Sequence, residues 1–158
     1  MKIDVLCVGK LSERYLEDAV TEYTKRLKRF VKLTIIEVPE AKLPKNPSPT
    51  DVKRALEEEA EGLLKRIRYP RTIVLASEGK GMTSEAFAEH IQKMNAYGQS
   101  EVTFVIGSSN GLLGRMKKDA NTVLSFSKMT FPHQLMRVIL LEQLYRAYKI
   151  NNNEPYHK

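Results

Sequence analysis

A tyrosine and a histidine close this chain, in the tail Asn151-Asn152-Asn153-Glu154-Pro155-Tyr156-His157-Lys158. Free histidine titrates at about 6.5, so His157 could accept a proton at neutral pH. A tyrosine ring gives a flat surface on which a splayed-out nucleic-acid base could stack. The plain alternative is a frayed polar terminus. Upstream, Arg146 follows Glu142 by four residues within a helical pattern. That spacing suits an ordinary helical ion pair, or a cation turned toward a phosphate or carboxylate with a carboxylate base beside it.

Two further stretches suit binding by backbone groups. One is Ile106-Gly107-Ser108-Ser109-Asn110-Gly111, small and polar. Its glycines allow close backbone approach, although an ordinary strand-to-helix turn reads the same way. The other is Leu124-Ser125-Phe126-Ser127-Lys128-Met129-Thr130-Phe131-Pro132-His133-Gln134, in which Met129 and Phe131 could equally be core residues beside a turn. Neither stretch ends in the Gly-Lys-Ser/Thr of a phosphate loop, and Gly79-Lys80-Gly81-Met82 lacks the upstream glycine. No G-x-G-x-x-G follows the first apolar run. His90, His133, His157 and the single Cys7 show no metal-ligand spacing, and no metal is expected.

These residues need elements to hold them. Ile3–Val8 reads as a strand ending at Gly9. A helix of about five turns follows through Tyr15, Leu16, Ala19, Val20, Tyr23, Leu27 and Phe30, with Ser12 as candidate N-cap. Leu33–Val38 is a second strand. Pro39–Thr50 holds four prolines and reads as an exposed loop. Thr50 can cap a charged helix to about Arg68, whose Glu57-Glu58-Glu59 and Glu61 read as a solvated face. Further strands are expected at Thr72–Ala76, Val102–Ile106 and Thr122–Phe126. Helices are expected from Thr83 or Ser84 through Met94, over Leu113–Asp119, and from Pro132 to about Ile150. The last helix is apolar over a broad arc, as if buried on its own sheet and by a second copy of the chain.

This alternation implies an α/β fold: one domain, with a largely parallel sheet and helices on both faces. Ligands in such sheets sit at the carboxyl ends of the strands. Here those ends are Gly9-Lys10, Ser77–Met82, Gly107–Leu112 and Ser127–Phe131. The chain has 158 residues and a net charge of +7. Residues 115–158 carry 8 Lys/Arg against 3 Asp/Glu, so much of the excess lies beside the motifs. Basic excess suits a polyanionic partner such as RNA, or simply a soluble surface. No apolar run is long enough to span a bilayer, and one cysteine in an apolar run fits a reducing cytoplasm.

Taken in order, the Lys2-Ile3 opening, the Val8-Gly9-Lys10 turn, the two motif stretches, the last helix and the Pro155–Lys158 tail resemble the RlmH family of SPOUT-class methyltransferases. The resemblance covers essentially the whole chain and is densest from Val105. It implies a single SPOUT-like domain over 1–158 with a C-terminal trefoil knot, which pattern reasoning does not predict. It also implies S-adenosyl-L-methionine as cofactor and 23S rRNA in the assembled ribosome as partner. The product would be a pseudouridine methylated at N3 in the helix 69 loop. The chain would act as a cytoplasmic homodimer, without membrane or metal.

By position, Leu75, Gly107, Phe126, Ser127, Lys128, Met129, Thr130 and Phe131 would contact the cofactor. Tyr156 and His157 would reach an active site, that of the partner subunit, with Glu142 and Arg146 nearby. Lys10, Arg115, Lys117, Lys118, Arg137 and Lys149 are candidate phosphate contacts. One departure stands out: Ser108 occupies a position where the family usually has glycine. A positive φ there would cost serine about 1 kcal/mol, and its Cβ would sit beside the cofactor. That departure motivates an alternative, a non-catalytic RNA-binding module that keeps the fold. Strand–helix alternation by itself would also suit a small flavodoxin-like nucleotide binder.

Overall fold

A computed structural model describes residues 1–158. The elements alternate throughout: β1 Lys2–Val8, α1 Arg14–Leu27, β2 Lys32–Val38, α2 Pro49–Leu64, β3 Thr72–Gly81, α3 Ser84–Ala96, β4 Glu101–Ile106, α4 Gly114–Asp119, β5 Thr122–Ser125 and α5 His133–Asn151. The strands form one sheet in the order β2-β1-β4-β3-β5, and every pairing is parallel. The α/β expectation is met.

β1 is an unbroken apolar run because both of its faces are covered. Ile3, Val5 and Cys7 join the larger core beneath α1, α3 and α5, with Phe87, Phe104 and Leu144. Leu6 and Val8 join a smaller core on the other face, with Ala60 and Leu63 of α2 and Met116 of α4. Cys7 is fully buried, and burial pushes its thiol up to about 12, so it is a packing residue. Aromatic rings tie α1 and the turn after it to α5: Phe30 stacks on Tyr148 at 5.4 Å, and Tyr145 lies 6.4 Å from Tyr23.

Several boundaries differ from the sequence expectation, each for a local reason. Ser12 does not cap α1: Glu13 is the N-cap, and the Ser12 amide and hydroxyl instead meet the Gln134 side chain at 2.9 and 3.2 Å. Ser48, not Thr50, caps α2. Its hydroxyl accepts from the Asp51 amide at 3.1 Å while Asp51 accepts from the Ser48 amide at 2.9 Å. Pro49 then fits the first turn, where no amide is needed, so the proline-rich loop stops earlier than composition suggests. β3 runs to Gly81 rather than Ala76, because its second half resumes pairing with β5 after a break.

Candidate active site

A cleft opens at the carboxyl ends of β3, β4 and β5. Leu75, Ile106, Leu112, Leu124, Phe126 and Met136 form its apolar floor, while Glu78, Ser109, Lys117, Thr130 and His133 supply polar wall. Three features of the backbone shape it.

The first is a break in β3. Leu124 of β5 is the partner of both Leu75 and Lys80, so the residues between them bulge out of the sheet. Ala76, Ser77 and Glu78 thereby line the cleft. Gly79 closes the bulge against β5. A Cβ at Gly79 would lie 2.6 Å from the Val123 carbonyl oxygen, so only glycine fits.

The second is the turn after β4. Ser108 and Gly111 pair across it, with the Gly111 amide donating to the Ser108 carbonyl at 2.8 Å. Gly111 takes φ +86. A Cβ on Gly107 would meet the Gly111 carbonyl oxygen at 2.3 Å, which fixes glycine there for packing rather than for φ. Ser108 has no positive φ, so the strain expected of a serine is absent. Its side chain also points elsewhere than expected. It is buried, and its hydroxyl donates to Glu59 Oε1 of α2 at 2.8 Å.

The third is the turn after β5. The Ser125 hydroxyl donates to the Ser127 carbonyl at 2.9 Å, and the Ser127 hydroxyl accepts from the Met129 amide at 2.9 Å. These bonds hold Phe126, Ser127, Met129, Thr130 and Phe131 on the cleft wall. Lys128 is the member of that stretch that does not line the cleft. Met129 is 74% exposed and is not a core residue. Leu75 and Gly107 both line the cleft.

The tail is not frayed. Glu154 pairs with Lys149 at 2.5 Å and with Arg29 in the turn after α1, and Asn153 takes φ 53 to turn the chain back. The Tyr156 ring packs edge-on to Tyr145 at 4.9 Å beneath the Arg146 guanidinium. Its hydroxyl donates to Glu142 Oε1 at 3.1 Å; burial first, and that carboxylate next, push the phenol above its usual range.

Glu142 Oε1 also takes two bonds from Arg146, at 3.1 and 2.7 Å, while Oε2 takes one from Gln143 at 2.7 Å. His157 bridges two groups, with Nδ1 3.1 Å from Arg146 Nη1 and Nε2 2.7 Å from Glu85 Oε1. Arginine only donates, so Nδ1 accepts, and Nε2 carries the proton toward Glu85. The fold therefore brings Glu142, Arg146, Tyr156 and His157 together, but none of the four lines the cleft of its own chain.

Some basic candidates fall away from solvent. Arg137 is 1% exposed, donating to Glu37 Oε2 at 2.8 Å and the Gly9 carbonyl at 3.1 Å, so it cannot reach a phosphate. Lys149 and Lys117 are held by Glu154 and Glu78. Sequence reasoning missed Glu59, Glu85 and His133. For Glu59 a signal existed: it sits on the same helical stripe as the buried Ala55 and Leu63, not on the solvated face assigned to its glutamate neighbours.

The sequence has counterparts among known proteins. The family model described as "Predicted SPOUT methyltransferase" matches residues 1–157. Ribosomal RNA large subunit methyltransferase H of Bifidobacterium animalis subsp. lactis is 55% identical over 159 residues, covering 100% of both chains. The proteins of that name from Lactobacillus acidophilus and Lactobacillus delbrueckii subsp. bulgaricus are 47% and 46% identical, again over 100% of both chains. No helix is long and apolar enough to cross a membrane. No cluster of three or more His, Cys, Asp or Glu could hold a metal ion.

Proposed function

This chain belongs to the SPOUT methyltransferase family, and on that premise we propose that it methylates N3 of a pseudouridine in 23S ribosomal RNA, with S-adenosyl-L-methionine as methyl donor. The trefoil knot of the C-terminal half follows from the family rather than from strand order. The observation that carries the proposal is the convergence of three loops, around Leu75, Gly107 and Phe126–Phe131, on one cleft with an apolar floor and a polar rim. Such a cleft suits a ligand with a flat heterocycle and a charged end. Leu75, Phe126 and Met136 would hold the ring, the backbone of the two turns would read its edge, and Lys117, Glu78 and His133 stand where its charged end would lie.

When bound, S-adenosylmethionine supplies a methyl group activated on a sulfonium sulfur. The chain's residues have two tasks: to hold the substrate nitrogen in line, and to take its proton as the N–C bond forms. Alignment supplies much of the rate by raising the effective concentration of the reacting pair. For the proton, His157 is the better acceptor. Glu142 already accepts four hydrogen bonds from Arg146, Tyr156 and Gln143, which leaves little lone-pair capacity. The one lone pair of His157 is on Nδ1, so the residue must release Arg146 to act, and the docked tail is a resting arrangement. Tyr156 would offer its ring to the extruded base.

Because the tail cluster lies outside its own cleft, a complete site needs a second copy. The exposed side of α5, with Leu135 at 36% exposure and Val138 and Ile139 half-buried, is the face for that dimer. The partner RNA is engaged in the assembled ribosome, and the protein works in the cytoplasm. A non-catalytic RNA-binding role drew on Ser108. Its hydroxyl is turned to Glu59, although the residue itself lines the cleft, and this weakens that motive.

Mass spectrometry of 23S rRNA from cells with and without the gene tests the proposal. One pseudouridine should lose a methyl group on deletion and regain it on complementation. Identical modification patterns would refute the activity. Calorimetric silence toward S-adenosylmethionine with RNA affinity retained would favour the binding module.

A further inference from the structure

We propose that Glu59 of α2 is a positioning residue for the cofactor loop, acting through the Ser108 hydroxyl; this rests on the cleft being an S-adenosylmethionine site. Glu59 and Ser108 are 4% and 5% exposed, on the face of the sheet away from α5. A carboxylate in such a place is costly unless donors compensate it. Glu59 has two donors: the Ser108 hydroxyl at 2.8 Å and, more weakly, the Ala41 amide at 3.4 Å. Its neighbours on that helix stripe, Ala55 and Leu63, are apolar, and an apolar residue at 59 would pack there without that cost. The carboxylate holds only the cofactor loop and the proline-rich segment.

The Ser108 hydroxyl is fixed from both sides, because it also accepts from the Asn110 amide at 3.4 Å while the Ser108 carbonyl takes the Gly111 amide at 2.8 Å. Gly107, directly before it, has no slack against Gly111. Ser108 itself lines the cleft, so a shift of it moves the wall together with Gly107, Ser109 and Gly111. Glu59 touches neither the cleft nor any ligand placed in it; its influence passes through one hydroxyl.

The test uses the full chain as wild type, Glu59→Gln, Glu59→Ala, Ser108→Ala and the Glu59→Ala/Ser108→Ala double variant. Calorimetry with S-adenosylmethionine and with S-adenosylhomocysteine gives the affinities, and hydrogen exchange reports the amides of 108–111. Glu59→Gln keeps an oxygen for the Ser108 hydroxyl and should bind as wild type does. Glu59→Ala and Ser108→Ala should each weaken binding by about tenfold, as expected for losing a buried hydrogen bond. The double variant should be no worse than either single one, because both break the same contact. KM for the methyl donor should rise while kcat at saturation and KM for the ribosome hold. The loop amides should exchange faster.

A merely structural carboxylate would lower the melting temperature and leave the affinity of the folded fraction intact. If Glu59→Ala does not fold, Ser108→Ala, which deletes one oxygen, carries the comparison. Affinities within about twofold of wild type in the folded variants, with loop exchange unchanged, would overturn the tether while leaving the function standing. A wild-type chain that binds neither probe would overturn both.

Discussion

Gly107→Ala is the sharpest perturbation of the cleft. The added Cβ would lie 2.3 Å from the Gly111 carbonyl oxygen, 2.7 Å from the Gly111 carbonyl carbon and 2.7 Å from Leu112 Cγ. Real Cβ contacts stay above 3.0 Å, so the turn must open by about 0.7 Å. Two of the three obstacles are backbone, and Leu112 is buried, so no flexible side chain can yield. Overpacking of this kind costs about 1–3 kcal/mol. For a domain of this size that lowers the melting temperature by roughly 3–10 °C.

The larger effect should be on the ligand. Opening the turn displaces the amides and carbonyls of 107–111 by close to an ångström, and misplacements of that order cost up to about 100-fold. The expected result is a folded protein whose affinity for S-adenosylmethionine is at least about tenfold weaker, measured by calorimetry beside thermal denaturation. Gly114→Ala is the control, because nothing lies within 4 Å of a Cβ there. Gly107→Ala with wild-type melting temperature and wild-type affinity would refute the packing argument.

His157→Ala should cut single-turnover methyl transfer by about 10²- to 10⁴-fold, with little loss of stability because the ring is partly exposed and its two partners keep water access. An unchanged rate at saturating ribosome with an unchanged pH profile would exclude it as the proton acceptor. Tail docking should depend on pH in a defined direction. The bond to His157 holds Glu85 below its ordinary 4.5, and the bond to Lys149 does the same for Glu154. A depressed carboxylate stabilises docking above the ordinary value and loses that contribution as pH falls through the depressed one, so Tyr156 fluorescence and tail proteolysis should report undocking only on acidification below 4.5; release on raising the pH instead would contradict the assignment. Ile139→Asp, on the exposed side of α5, should convert a sedimenting dimer to a folded monomer that binds S-adenosylmethionine but does not transfer methyl groups, whereas a wild-type monomer with full activity would remove the dimer from the mechanism.

The sequence by itself determined the alternation of strands and helices and three of the four strand-end loops expected at the site; the fourth, Gly9-Lys10, does not line the cleft. What it determined is written in short-range chemistry. Apolar periodicity depends on neighbours within one or two turns, and Gly98 stops α3 with φ +73 because only glycine takes that conformation cheaply. The motif order from Val105 onward carried the family, and the strand ends pointed to the same loops.

What the tertiary structure decided involves residues far apart in the chain. Ser108 and Glu59 are separated by 49 positions, and Arg137 and Glu37 by 100. No local pattern says that a serine faces a buried carboxylate rather than a ligand, or that an arginine on α5 is spent on β2 and the Gly9 turn. The bulge in β3 arises because β5 has one residue, Leu124, to offer to both Leu75 and Lys80. The tail folds back because the turn after α1, together with α3 and α5, converges to present Arg29, Glu85, Lys149 and Tyr145 to it. Side-chain partners at such separations are chosen by how helices pack across a sheet, and that choice exists only once the sheet has formed.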